Sequence, residues 1–238
     1  MVSAPPVRAL RWLAAPGVAA VVVAGVWVTG GLITDSFRVS MALTAGWFVV
    51  AGVACLTVAR ARRSLRVPVL GGYAVTAAAV VAFLGYTTLH DTVVHERVAV
   101  GTPASRLADG RHDVDPARRP GPPTRAGTMN VEEASGSFRA GEHDTSGIAR
   151  VVRLAGGRRV LTLTGFATAA GPDLRVRLAS GAATDGAAHG VVDLGALKGN
   201  RGSQQYGLPA GARVRHATVL IWCRAFSALF GAAPLRPS

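Results

Sequence analysis

The run Ala217-Thr-Val-Leu-Ile-Trp-Cys223, followed by Arg224-Ala-Phe226, decides the fold of the second half of this chain. Every second residue of the run is Val, Ile or Cys, and a period of two is typical of a β-strand with one buried face. The sequence therefore predicts a strand that begins near Ala217 and ends with a cysteine, Cys223.

Two further runs alternate in the same way, residues 161–164 and residues 174–178. Turn-forming pairs separate the runs at about strand length, among them Gly156-Gly157, Gly171-Pro172 and Gly199-Asn200. These features predict an all-β domain over residues 134–238, either an antiparallel sandwich or a barrel-like sheet. Six residues are expected in its core: Leu163, Leu174, Val176, Leu178, Val219 and Ile221.

The first ninety residues contain three long apolar runs without a charged side chain: Trp12–Ile33, Met41–Ala59 and Pro68–Leu89. Each run is close to the ~20 residues that a helix needs to cross the hydrocarbon layer of a bilayer. We therefore expect residues 1–90 to form an anchor of three transmembrane helices, with the lipid bilayer as its partner.

The arginines predict the orientation of this anchor. Arg60, Arg62, Arg63 and Arg66 lie between the second and third runs, whereas the first loop offers only Asp35 and Arg38. The positive-inside rule then places the N-terminus in the cytoplasm and the C-terminal domain outside the cell membrane. A cleaved signal peptide is the alternative for the first run. Its apolar stretch is long for that purpose, and cleavage would leave the domain on the same side.

Residues 91–133 are rich in charge, Pro and Gly, as in Pro116-Ala-Arg-Arg-Pro-Gly-Pro-Pro123. The stretch has no periodic apolar pattern and little surface to bury, so we expect a flexible stalk between anchor and domain. The net charge of +13 comes almost entirely from arginine. These arginines are not interleaved with aromatic residues as in a nucleic-acid groove, and nucleic acid is not an expected partner.

An ordered series of short motifs runs through residues 134–235. Its members are Ser135-Gly-Ser-Phe138, His143 with Ser146-Gly147, Leu161-Thr-Leu163 with Phe166, Gly171-Pro-Asp-Leu174, Asp193-Leu-Gly195, Leu197-Lys-Gly199, Gln204-Gln-Tyr206, Val219-Leu-Ile-Trp-Cys223 and Phe230-Gly231. In order and number the series resembles the DM13 domain, a small β-rich extracytoplasmic module. The resemblance implies an electron-transfer or redox function through a characteristic cysteine, here Cys223.

Cys223 is predicted to be a redox thiol, and His143 its partner. Cys55, the other cysteine, lies inside the second apolar run and cannot reach an outer domain to form a disulfide. A redox thiol needs a nearby cation, and His143 matches the pattern of the family whereas His216 falls on the far side of the pleat from Cys223. The alternative is that Cys223 is a small buried hydrophobic residue.

No metal site is expected, because the cysteine and the scattered histidines lack the paired spacing of metal ligands. The three apolar runs contain no histidine, so a haem would have to come from a partner. The sequence leaves the cofactor and any enzymatic activity open. Two functions remain: a membrane-tethered redox module with a protein partner outside the membrane, or a non-catalytic envelope interaction or display module in which the cysteine is structural.

Overall fold

A computed structural model describes residues 11–34, 36–109, 129–181 and 190–238. The chain divides into two compact units, one made of residues 1–89 with 224–228 and the other of residues 90–223 with 229–238. The first unit is helical and the second is built of β-strands.

Three long helices make up the helical unit. They are α1 (Ala14–Gly31), α2 (Phe37–Ala61) and α3 (Arg66–Leu89), with short 3-10 turns at Arg11–Leu13 and Arg63–Leu65. Counted with those turns, the first and third helical segments have 21 and 27 residues and the second has 25, all long and apolar enough to cross a membrane. The prediction of three long apolar helices is confirmed.

The helices pack through glycine and a few polar side chains. The Trp47 ring of α2 lies against Gly25 of α1, and its Nε1 donates a hydrogen bond to the Val22 carbonyl oxygen at 3.1 Å. The Tyr73 hydroxyl of α3 donates to the Phe48 carbonyl oxygen at 2.7 Å. Such contacts are typical of helices in lipid, where small residues and hydrogen bonds replace the hydrophobic effect as the cause of association.

The second unit is a β domain of two sheets, and the all-β prediction is confirmed. Its elements are β1 (Val93–His95), β2 (Thr102–Pro103), α4 (Ala104–Asp109), β3 (Val131–Ser137), β4 (Arg139–Ala140), β5 (Ser146–Arg153), β6 (Arg159–Ala167), β7 (Leu174–Ser180), β8 (Val192–Ala196), β9 (Arg201–Gly207), β10 (Ala217–Cys223), β11 (Ala228–Pro234) and β12 (Arg236–Pro237). One sheet has the order β1-β9-β6-β5-β3-β12 with β2 also on β3, and the other has the order β4-β11-β10-β7-β8. Most pairs are antiparallel, but β1 and β2 pair in parallel.

The six core residues expected from the alternation are all buried, each at most 7 % exposed. The register of β7 is also as predicted. Val176 is fully buried, whereas Arg175 and Arg177 of the opposite face lie beside Asp193, with nitrogen–oxygen distances of 3.1 and 3.9 Å. The arginines therefore stay out of the core, where unpaired guanidinium groups would be costly.

Strand β10 departs from the predicted pattern of one buried face, because all seven of its residues are buried. Leu220 is fully buried and Trp222 is 7 % exposed on the face away from Ile221. The Arg177 guanidinium lies 5.2 Å from the centre of the Trp222 ring and covers part of it. Both faces of a strand are buried when side chains pack on each side of its sheet. The alternation of residue types does not reveal whether the second face is covered.

The backbone explains why position 147 of the motif series is a glycine. The register between β5 and β6 shifts between Ser146 and Ile148, and Gly147 within this bulge has a φ of +111°. A Cβ atom at Gly147 would lie 2.7 Å from the Phe166 Cα, closer than real contacts. Only glycine combines this conformation with this approach of two backbones.

The described part of residues 91–133, the expected stalk, contains two short strands. Strand β1 pairs with β9, β2 pairs with β3, and both belong to the β domain. The rest of the expected stalk, residues 110–128, lies outside the described residues. Strands of two and three residues are too short to show a period in sequence, which is why composition alone suggested a stalk.

Two carboxylates hold β1 to the sheet. The Asp91 carboxylate accepts hydrogen bonds from Asn200 Nδ2 at 2.6 Å and Arg201 Nε at 2.8 Å. The Glu96 carboxylate accepts from Lys198 Nζ at 2.7 Å. These hydrogen bonds hold the pKa values of Asp91 and Glu96 below their ordinary values, with Asn200 the largest cause for Asp91 and Lys198 for Glu96.

We expect acid to loosen β1. The lowered folded-state pKa values mean that the carboxylates stabilise the pairing of β1 with β9 above the ordinary values of 3.8 and 4.5, and that this contribution is lost as the pH falls through the folded-state values. The rate of amide hydrogen exchange at residues 93–95 should therefore rise, relative to that of the rest of the domain, at low pH. The double variant Asp91→Asn with Glu96→Gln should show the same faster exchange at neutral pH. The matched control, Glu133→Gln on β3, should not change the exchange rate at residues 93–95. Unchanged protection of β1 in the double variant would contradict this account.

Candidate functional site

Cys223 is the last residue of β10 and is fully buried. It lies directly opposite Leu174 of β7, so the two side chains share the core face with Val219 and Ile221. Neither Cys223 nor Cys55 forms a disulfide. The thiol is thus placed in the interior of the domain without direct access to solvent.

The ring of Phe230 connects the surroundings of this thiol to His143. A Cβ atom added at Gly171 would lie 3.1 Å from Leu174 Cδ2 and 3.2 Å from Phe230 Cζ, so these two side chains adjoin. On its other side, the Phe230 ring stands against the imidazole of His143, with 4.1 Å between ring centres and 42° between planes. Phe230 therefore lies against His143 on one side and beside Leu174, the cross-strand neighbour of Cys223, on the other.

A pair of buried hydroxyls holds the His143 segment in place. Thr145 Oγ1 donates a hydrogen bond to the Phe230 carbonyl oxygen at 2.9 Å. Thr145 Oγ1 and Thr168 Oγ1 are 2.8 Å apart, and because the Thr145 proton is already used, we assign Thr168 as the donor of this second bond. Gly231 makes room for this contact, since a Cβ there would lie 2.5 Å from the Thr145 Cβ. Thr145 and Thr168 were not found in the sequence, because single threonines carry no motif.

An open pocket of about 620 Å³ lies over this segment. His143, Asp144, Thr145 and Thr168 line one part of it, and Asp91 with Arg201 lines another. Asp91 stays ionised because the hydrogen bond from Asn200, then its charge pair with Arg201, lower its pKa. The pocket thus offers one half-buried imidazole beside carboxylates and a guanidinium, groups that a protein surface or a polar ligand can contact.

Several residues of the motif series are structural. Gln204 is fully buried, and its Oε1 accepts from the Tyr206 hydroxyl at 2.7 Å and from Lys198 N at 3.1 Å. Burial raises the pKa of Tyr206 to about 12, so the phenol keeps its proton for this bond. Asn200 continues the network by donating to the Thr168 carbonyl oxygen at 3.0 Å. These residues fix the turn between β8 and β9 below the pocket.

His216, the alternative partner of Cys223, does not join this site. His216 precedes β10, is exposed, and has a φ of +56°, at the opposite end of the strand from Cys223. His112 and His189 lie outside the described residues. Within the part of the chain that the structure describes, no three His, Cys, Asp or Glu side chains form a cluster that could hold a metal ion.

Comparison with known proteins identifies one family. A family model described as Electron transfer DM13 matches residues 137–235, which extend from the end of β3 to the residue after β11. No curated protein and no solved structure matches the chain significantly. The matched range contains both Cys223 and His143.

Proposed function

We propose that this chain is a membrane-tethered electron-transfer module that acts through Cys223, because residues 137–235 match a family model described as Electron transfer DM13. The family description supplies electron transfer as the activity. The three long apolar helices support attachment to a lipid bilayer. The proposed partner is a redox protein outside the membrane.

The proposed orientation rests on the arginines. Arg60, Arg62, Arg63 and Arg66 flank the short connection between α2 and α3, which supports a cytoplasmic position for this connection and for the N-terminus. After the third helix the β domain then lies on the extracytoplasmic side, where thiol–disulfide chemistry is common.

One observation supports the proposed role of Cys223: the Phe230 ring lies against the His143 imidazole on one side and beside Leu174, the residue opposite Cys223, on the other. His143 lines the open pocket, so a partner that docks there would reach the imidazole first. Full burial of Cys223 means that the exchange requires a local displacement of the side chains that cover the thiol. We propose that docking of the partner at the pocket favours this displacement.

The proposed chemistry is thiol–disulfide exchange. The Cys223 thiol loses its proton to His143, and the thiolate attacks one sulfur of a partner disulfide. A new sulfur–sulfur bond forms to Cys223, the partner bond breaks, and the leaving thiolate takes the proton. The Cys223 sulfur rises from oxidation state −2 to −1 in the mixed disulfide, and the released partner sulfur falls from −1 to −2, so the exchange balances without a further oxidant.

Glutathione disulfide, a charged and impermeant probe, tests this proposal. We expect right-side-out membrane vesicles that contain the full chain to accumulate a mixed disulfide at Cys223, detected by mass spectrometry, with one glutathione released per adduct. Cys223→Ser should remove the adduct, whereas Cys55→Ala should retain it. His143→Gln should slow the reaction and alter its dependence on pH, since glutamine has a similar size but takes no proton in this range.

Inverted vesicles provide the control for orientation. Reaction in inverted vesicles but not in right-side-out ones would contradict the proposed topology while leaving the chemistry intact. Absence of the adduct in both preparations, and also in detergent-solubilised chain, would contradict the exchange mechanism.

A second function is favoured by the burial of Cys223, which is 0 % exposed. In that case the thiol is a packing element of the core, and the domain is a non-catalytic module that the anchor displays to the envelope. Cys223→Ser would then destabilise the domain by roughly 1–3 kcal/mol, if its hydroxyl finds no partner in the core.

A further inference from the structure

A second groove, which shares no lining residue with the pocket over His143, is lined by residues of β3, β5 and β12 of the larger sheet and of β4 and β11 of the smaller one. It has a volume of about 590 Å³, and its polar lining includes Arg139, Arg150, Arg236, Ser135 and Ser137. Glu132 is the one carboxylate among the residues that line it. The described lining thus carries three positive charges and one negative charge.

The register of the strands explains how these side chains come together. Arg236 of β12 pairs with Ser135 of β3, and Ser135 pairs with Arg150 of β5. The three residues form a row on one face of the sheet, with the serine in the middle. Because neighbouring strands are about 4.8 Å apart, the two arginine backbones are roughly 10 Å apart, and both long side chains can reach a group bound over Ser135.

The groove keeps positive charge that the protein itself does not neutralise. Arg150 is engaged: its Nη1 donates to Thr164 Oγ1 at 2.6 Å, and its Nε lies 3.4 Å from the Glu132 carboxylate. Arg139 and Arg236 are exposed and have no ion pair or side-chain hydrogen bond with any residue that the structure describes. Two guanidinium groups therefore remain available in a concave site, where like charges concentrate the potential.

From this arrangement we propose that the groove binds a phosphate group. A carboxylate is planar and is satisfied by one guanidinium fork, whereas a tetrahedral phosphate has acceptor oxygens on several sides. Here the donors come from several sides, from β4, β12 and β3, with serine hydroxyls between the arginines. The groove is open, so the phosphate can belong to a small soluble molecule or to the headgroup of a lipid. This site is separate from the redox proposal and does not depend on it.

Equilibrium dialysis of the full chain in detergent micelles against radiolabelled inorganic phosphate tests the proposal. We expect saturable binding of one phosphate per chain. Arg236→Gln and Arg139→Gln should each weaken it about tenfold, because each removes a charge-assisted hydrogen bond. The matched control is Arg158→Gln, an exposed arginine between β5 and β6 that changes the net charge equally and should leave the affinity unchanged.

Competition distinguishes the two sources of phosphate. Displacement by glycerol 3-phosphate supports a soluble phosphomonoester, and stronger displacement by glycerophosphoglycerol supports the diester of a lipid headgroup. Either result supports a phosphate site. The proposal is overturned if wild-type chain binds no phosphate, if acetate competes as well as phosphate, or if Arg158→Gln weakens binding as much as Arg236→Gln.

Discussion

Ile221→Ala is expected to destabilise the β domain by about 2–5 kcal/mol. Ile221 is fully buried in the middle of β10, directly opposite Val176 of β7. Truncation removes apolar surface from the core and leaves a cavity that neighbouring strands can fill only in part. The loss should be measured as the free energy of opening of β10 by amide hydrogen exchange, on the full chain in detergent micelles.

Val100→Ala is the matched control for this change. Val100 belongs to the same unit but is 77 % exposed, so its truncation should change the stability by no more than about 0.5 kcal/mol. Equal effects of the two substitutions would show that β10 is not the centre of the core.

Gln204→Leu should destabilise the domain by at least roughly 3 kcal/mol, although leucine is apolar and of similar size. The buried amide oxygen accepts from the Tyr206 hydroxyl, Lys198 N and Gly199 N, and the amide nitrogen donates to the Gly199 carbonyl oxygen at 2.7 Å. The substitution leaves several of these groups buried without a partner, at about 1–3 kcal/mol each. The midpoint and slope of urea unfolding should report the loss.

Gln205→Leu, one residue along the strand, is its control. The Gln205 side chain is half-buried and accepts one hydrogen bond, from Ala99 N at 3.1 Å, so we expect a loss of about 1 kcal/mol. A Gln204 variant as stable as the Gln205 variant would contradict the structural role assigned to the network.

The sequence predicted the parts of the fold that depend on long periodic patterns. The three helices follow from apolar runs of membrane length, and β7 follows from the alternation of Leu174, Val176 and Leu178 with arginines. It could not predict the contacts of short strands. β1 has three residues, and its parallel pairing with β9 depends on the side chains of Asp91 and Asn200, which are distant in sequence.

The sequence suggested two titratable residues for the candidate site, which stay a prediction, and it did not reveal the hydroxyls beside them. His143 was selected from its place in the motif series, and the structure places it against Phe230 rather than in an isolated turn. The sequence left open whether Cys223 is reactive or a buried packing residue, because a strand that ends in cysteine has the same pattern whether a second sheet covers that end or not. Thr145 and Thr168 became visible only when the strands that carry them were brought together.

The rate at which Cys223 reacts with a maleimide tests the proposed redox role most directly. The measurement uses the full chain with Cys55→Ala, so that Cys223 is the single thiol. It compares the labelling rate at neutral pH with the rate of global unfolding of the β domain under the same conditions. A redox thiol predicts labelling well ahead of global unfolding, through local opening around Cys223, and slower labelling in the His143→Gln variant. Labelling no faster than global unfolding, with no effect of His143→Gln, would contradict the redox role and leave Cys223 as a packing residue of a display module.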